Sequence, residues 1–324
     1  MNRSCRGGGP GWRVPDLLTS GFLTALVVGG LVAGVPLLFA SLGEIVAEAS
    51  GVLNVGLEGM MLAGAFAGFV ATLLTQNVWF GLVAGAIAGL LVSLVMVLFC
   101  IRLGLDQIVV GVAIVLTVEG ATAVLHATLY GESYPRLDAA PRFAIPFLSD
   151  LPVLGGSLFT QPVVVYLGFI LVGVVAWVMR HTSLGLHLRA AGEQPASLDA
   201  AGVDVVRVRS VAEMVCGALA GLGGAYLAIV GAGTFVPFVT NGMGFIAIVI
   251  AMLARGRAWW SVIGAFLFGM SLSLTTALQL VGIDVPVDVV QMLPFVSVIV
   301  VLVIFARDAR LPSALGLPYL RGSR

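Results

Sequence analysis

An all-α bundle of about eight to ten transmembrane helices, with a broken helix near residues 43–58, is the fold this sequence predicts, on three observations. The 324 residues are 60% hydrophobic and only 10% charged, against about 25% charged in a typical soluble domain. Mean hydropathy is +1.11, a value for a chain whose outer surface meets lipid rather than water. Apolar runs long enough to cross a hydrocarbon core of roughly 30 Å recur along the whole chain.

The runs lie at 17–39, 59–75, 79–101, 107–129, 161–179, 210–231, 243–254, 258–281 and 289–306. The first follows Arg3, Arg6 and Arg13 but is too long for a signal-peptide core of about 7–15 residues. The run 243–254 is short and reads as a half-helix or as one that borrows Phe238 and Val239. Arginine placement sets the orientation. Arg180, Arg189, Arg207 and Arg209 put loop 180–209 in the cytoplasm, with the turn holding Arg255 and Arg257 and the tail 307–324. Loop 130–160, with Pro135, Pro141, Pro146 and Pro152 and a near balance of charge, belongs outside.

Nine simple spans would leave the N-terminus outside, whereas its three arginines place the tail 1–16 inside. Segment 40–58 offers the repair. It is mildly apolar but interrupted by Glu44, Glu48, Ser50, Gly51, Asn54, Gly56 and Glu58, and irregular backbone at membrane depth persists where protein or a watery cavity surrounds it. A broken helix there gives ten segments with both termini inside. Residues 17–306 then form one membrane domain. Gly85-Ala-Ile-Ala-Gly89 and Gly264-Ala-Phe-Leu-Phe-Gly269, each shortly after a tryptophan, are a faint echo between two halves.

Composition also excludes chemistry. All 16 basic residues are arginine, so neither a phosphate-binding loop nor a lysine Schiff base is possible on this chain. Cys5, Cys100 and Cys216 are far apart, and His181 and His187 lack companion ligands, so neither a disulfide framework nor a metal is expected. Zero net charge gives no reason to expect nucleic acid. Serine-hydrolase, H-E-x-x-H and paired-aspartate groupings are missing, which speaks against an intramembrane enzyme.

Polar groups inside apolar runs are candidates for function by default. Glu58 stands at the entrance of one run, as a pathway or interface residue or as an acid stabilised by its helix N-terminus. Glu119 is the acid deepest within a run, with His126 two turns on. Glu44 and Glu48 share a helix face and repel mildly. Gln107 and Asn241 border apolar runs, where they can cap a helix or hydrogen-bond a polar solute. Asn54 sits in the interrupted segment. In loop 180–209, Pro195 opens a short helix that Gly202 closes, a shape suited to docking a partner.

Together these segments resemble the permeases of bacterial ATP-binding-cassette (ABC) importers for simple sugars and nucleosides, over about residues 43–306. The nucleoside-type members are most similar, through Gly43-Glu-Ile-Val-Ala-Glu-Ala-Ser-Gly-Val-Leu-Asn-Val-Gly-Leu-Glu-Gly-Met-Met-Leu62, Asp106-Gln-Ile-Val-Val-Gly111, Arg189-Ala-Ala-Gly-Glu-Gln-Pro195, Ala200-Ala-Gly-Val203 and Gly217-Ala-Leu-Ala-Gly-Leu-Gly-Gly224. The resemblance implies a transport subunit in the bacterial inner membrane, surrounded by lipid. It implies a second permease chain, a cytoplasmic ATP-binding subunit that carries ATP and magnesium, and an extracytoplasmic substrate-binding lipoprotein. It makes 190–203 the coupling segment, with Arg189, Gly192, Glu193, Pro195, Ala200 and Gly202 as its candidate contacts. Asn54, Glu58, Gln107, Glu119 and Asn241 become candidates for the substrate path, and no cofactor is expected on the chain itself. Relatives often carry a basic residue after the acid equivalent to Glu48, where this chain has Ala49. A branched-chain amino acid ABC permease and a proton-coupled secondary transporter using Glu119 are the competing readings.

Overall fold

The computed structural model describes residues 20–141, 160–280 and 312–319, with isolated positions between 292 and 303. Residues 1–16, most of the expected loop 130–160 (all of 142–159) and all but isolated positions of the expected span 289–306 lie outside the described residues. The described chain forms ten α-helices. Six helical stretches, two of them extended by a π-turn, are long and apolar enough to cross a membrane: Thr24–Ala49, Leu57–Thr75, Val78–Arg102, Gln107–Tyr130, Val163–His181 and Val205–Ala232.

Helix α1 spans Ser20–Ala49. It is longer than expected, because 40–49 completes it rather than forming a separate segment. Glu44 and Glu48 are therefore on the last turns of α1, and the break narrows to Ser50–Gly56 before α2 (Leu57–Thr75). Gly51 makes the reversal at φ +89°, a conformation that costs an L-residue with a Cβ about 1–2 kcal/mol. Segment 40–58 thus adds no crossing. The first turns of α1 lie at the far end of the bundle, where the Ser273 hydroxyl donates to the Leu26 carbonyl at 3.2 Å.

Asn77 caps α3 (Val78–Met96), which runs on as a π-turn to Arg102. Asp106 caps α4 (Gln107–Tyr130) by accepting from the Ile108 and Val109 N–H groups. Helix α5 is Val163–His181. The arginine loop folds into two helices rather than the one that Pro195 announces: α6 (Ser183–Glu193) and α7 (Pro195–Ala200). Helix α8 (Val205–Tyr226, with a π-turn to Ala232) begins one turn before its apolar run. A non-helical stretch, 233–242, leads to the half-helix α9 (Met243–Ala254), and α10 is Ala258–Leu280.

Burial grades from centre to rim. About 67% of the α2 window is buried but only 22% of the α4 window, so α1, α2 and α8 form the centre and α4 stands at the rim. Leu116, Val109 and Leu129 of α4 stand exposed accordingly. The glycines of the sequence echo sit at two helix crossings. A Cβ on Gly89 of α3 would run into the Gly217 carbonyl of α8, and one on Gly269 of α10 into the Gly30 carbonyl of α1. Close backbone approach over small residues is how helices gain packing contacts where lipid offers no hydrophobic drive.

Candidate functional site

Both breaks in the helical ladder meet at Glu58. Placed by the first turn of α2 and 2% exposed, its carboxylate accepts from the N–H of Gly242 at 2.9 Å and from that of Gly244. These are the amides that open α9, which has no cap from its own side chains. A half-helix starting inside a membrane leaves its first amides without partners. An acid there satisfies them and also meets the positive end of the helix dipole. Glu58 therefore joins α2 to α9, combining the interface and helix-terminus roles that the sequence left open.

The break before it is held in the same way. The Gln107 Oε1, at the start of α4, accepts from the Leu53 N–H at 2.8 Å, and the Glu44 carboxylate accepts from the Asn54 N–H at 3.1 Å. Asn54 is fully buried, with its Nδ2 against the sulfurs of Met60 (3.2 Å) and Cys216 (3.4 Å). The Cys216 thiol in turn donates to Glu44 at 3.5 Å. Among the described residues, neither Asn54 Oδ1 nor either carboxylate oxygen of the fully buried Glu213 has a hydrogen-bond partner. The structure thus brings Asn54, Glu58 and Gln107 to one place. Asn241 adjoins it along the chain, exposed and at φ +40°. Glu119 does not join them: it is half-buried on α4, twelve residues beyond Gln107 and so about 18 Å along the helix. Its suggested companion His126 lies in an aromatic cluster, stacked on Tyr134 at 5.1 Å and beside Phe235 at 5.8 Å.

At the arginine-rich end a second charged side chain gathers loose backbone. Arg209, only 3% exposed, donates to the carbonyls of Ser50 (3.1 Å), Ala191 (3.1 Å) and Leu317 (2.8 Å). It thereby ties the end of α1 to α6 and to the segment 312–319. Backbone contacts reinforce this junction: Ala314 N–H to Gly192 carbonyl at 2.9 Å, and Gly316 N–H to Gly51 carbonyl at 3.1 Å. Gly192 is needed because a Cβ there would strike the Ala49 carbonyl.

The predicted docking residues divide between the two sides of this junction. Gly192 faces inward, whereas Arg189, Glu193 and Ala200 are exposed. Arg189 Nε donates to the Gly185 carbonyl at 3.2 Å. Pro195 is the first residue of α7, and Gly202 ends the unit at φ +83°. Leu198 packs inward with Ala191 and Val205.

Arg209 reads as a loop arginine because the apolar run starts at 210, and Glu213, three residues inside that run, was not singled out. Their signal was the spacing Arg209, Glu213, Cys216, Ala220, which is one helix face once α8 is extended by a turn.

Residues 26–303 match the family described as branched-chain amino acid transport system / permease component. The chain belongs to this family. It is 34% identical over 317 residues to the guanosine ABC transporter permease of Bacillus subtilis, covering 93% of this chain and 98% of that relative. Against the nucleoside ABC transporter permease NupC of Lactococcus lactis subsp. cremoris, identity is 33% over 313 residues, with 92% and 98% covered. Against a Haloferax volcanii permease whose name assigns it, as a candidate, to glucose, identity is 36% over 263 residues, with 80% and 78% covered. The chain is thus an ABC permease, a multi-pass membrane transport subunit rather than an enzyme. Its membership favours the ABC permease reading over the proton-coupled alternative.

Proposed function

We propose that this permease forms the translocation path for a nucleoside in a bacterial cytoplasmic membrane. A binding lipoprotein delivers the solute from outside, and a separate ATPase, holding ATP and magnesium, docks on 190–203. A simple sugar is the related alternative cargo. In this reading loop 130–160 is external, and loop 180–209 and the tail are cytoplasmic. A second permease chain, the same or a paralogue, completes the path.

One observation carries the proposal: Arg209 links the arginine loop directly to Ser50, at the start of the break that holds Asn54 and precedes Glu58. A push on α6 and α7 reaches that break through the Arg209 guanidinium and through the close packing of Gly192 on Ala49 and Gly51. The unpartnered acceptors Asn54 Oδ1 and the Glu213 carboxylate suit a solute rich in hydroxyl and amino donors, once the helices part to admit it. A branched-chain amino acid would instead need a partner for its ammonium and its carboxylate and an apolar place for its side chain.

The test is reconstitution of the chain with its ATPase and binding protein in proteoliposomes, with uptake of labelled guanosine, uridine, ribose and leucine. ATP-dependent accumulation of a nucleoside is the expected result. Accumulation of leucine alone would overturn the cargo, and uptake indifferent to ATP would overturn the mechanism.

A further inference from the structure

A basic cleft of about 340 Å³ opens at the arginine-rich end between α1, α5, α6 and the turn that joins α9 to α10. Arg180, Arg189, Arg255 and Arg257 line it, facing the two glutamates Glu48 and Glu193. Four arginines from three separate elements give the cleft a net positive field, and guanidinium forks match phosphate oxygens better than ammonium groups do.

A second space lies on the same helices, nearer the middle of the bundle. It is an apolar groove of about 510 Å³ between α1, α5 and α10, lined by Leu31, Leu38, Phe169, Ile263 and Phe266 among others. Leu38 precedes Ile45 of the cleft by two turns of α1, and Phe169 precedes Met179 by ten residues of α5. The groove therefore begins about 10–15 Å inward from the arginines. Trp259 and Trp260, 57% and 55% exposed, lie two and three residues after Arg257. Exposed tryptophans of a membrane protein favour the headgroup level, which sets the cleft at that depth and the groove among the acyl chains.

We propose that cleft and groove together hold one anionic phospholipid, its phosphate among the arginines and an acyl chain between α1, α5 and α10. A free phosphate would use the cleft alone, and a zwitterionic lipid would bring its own cation against the arginines. The site is separate from the nucleoside reading and does not depend on it.

Native mass spectrometry of the full-length, delipidated chain in detergent tests it, by titration with phosphatidylglycerol and with phosphatidylcholine. Expected are one tightly held phosphatidylglycerol, markedly weaker retention of phosphatidylcholine, and no displacement by millimolar inorganic phosphate. Arg180→Gln/Arg257→Gln should weaken phosphatidylglycerol binding roughly thirtyfold, at the usual strength of each arginine near an anionic headgroup. Equal retention of the two lipids overturns the proposal, as does unchanged binding by the double variant. Displacement by inorganic phosphate would assign the cleft to a free anion instead. Loss of ATPase docking in the double variant, with lipid occupancy intact, would assign it to the partner protein. Should that variant fail to elute as a folded species, the preference of the wild-type chain between the two lipids decides alone.

Discussion

Glu58 and Arg209 solve one physical problem with opposite charges. Each is almost fully buried and holds backbone groups that a broken helical ladder leaves without partners. The difference is in what they gather. Both amides on Glu58 come from a single short segment, 242–244, so it fixes one joint between α2 and α9. The three carbonyls on Arg209 come from three segments far apart in the chain, so it fixes a crossroads. The joint is local and near the proposed path, whereas the crossroads lies where a partner's push would arrive. Charge at membrane depth is costly, and here it is placed where it replaces water as the partner of exposed backbone.

The largest expected effect therefore belongs to Arg209→Gln. Removing the guanidinium strands the Ser50, Ala191 and Leu317 carbonyls, at about 1–3 kcal/mol for each buried orphan. The thermal midpoint of the detergent-purified chain should fall steeply, and limited proteolysis should open the α6–α7 loop. Arg209→Lys keeps the charge but not the planar fork and should recover only part of the loss. A wild-type midpoint for Arg209→Gln would show that the crossroads holds without it.

Glu58→Gln comes next. One acceptor oxygen remains, but an amide group then faces a donor and the favourable charge at the α9 terminus is gone. Hydrogen bonds to charged groups contribute about 1.5–3 kcal/mol, so a loss in that range is expected in thermal unfolding. Combining the two changes sharpens the comparison. Ser50 and Glu58 bound the same nine-residue stretch, so if joint and crossroads act as one unit the effects couple by more than about 0.5 kcal/mol. Strict additivity in a double-mutant cycle would make them independent anchors.

Smaller effects belong to the exposed side of the coupling unit. Gly202→Ala places a Cβ at φ +83°, at a cost of about 1–2 kcal/mol, and Glu193→Gln changes only an exposed carboxylate. Both should insert and fold normally while ATP hydrolysis becomes uncoupled from uptake. Normal uptake in both variants would remove 190–203 from the coupling role.

The sequence made the helices legible because lipid imposes one simple rule, a long apolar run for each crossing. It also pointed to the two irregular stretches, since Gly51, Asn54 and Gly56 interrupt one and α9 is too short to span. What it could not show is which charged group meets which break. Glu58 and Gly242 are 184 residues apart, and no local periodicity links them. The break expected near 43–58 is present but shorter, Ser50–Gly56, for a related reason. Glu44 and Glu48 look like interruptions when counted by composition, yet α1 continues through both, and Glu44 finds donors in the Asn54 N–H ten residues on and in the Cys216 thiol from across the fold. Arg209 was hidden by hydropathy itself: the helix that bears it begins in polar sequence, exposes Arg207 and buries Arg209 against Leu317.

Glu119 sets the lower bound of the series. It is the acid that sequence position alone marks as deepest, and a proton-driven carrier would depend on it. Yet it stands about 18 Å along α4 from Gln107, and among the described residues it makes no ion pair. His126, two turns on, packs in an aromatic cluster with Tyr130, Tyr134 and Phe235. Glu119→Gln should accordingly leave ATP-driven uptake, and its response to a collapsed proton gradient, at wild-type levels in proteoliposomes. Strong inhibition, with the thermal midpoint unchanged, would move the functional centre from the two breaks to α4. Glu58 and Arg209 would then be structural anchors alone.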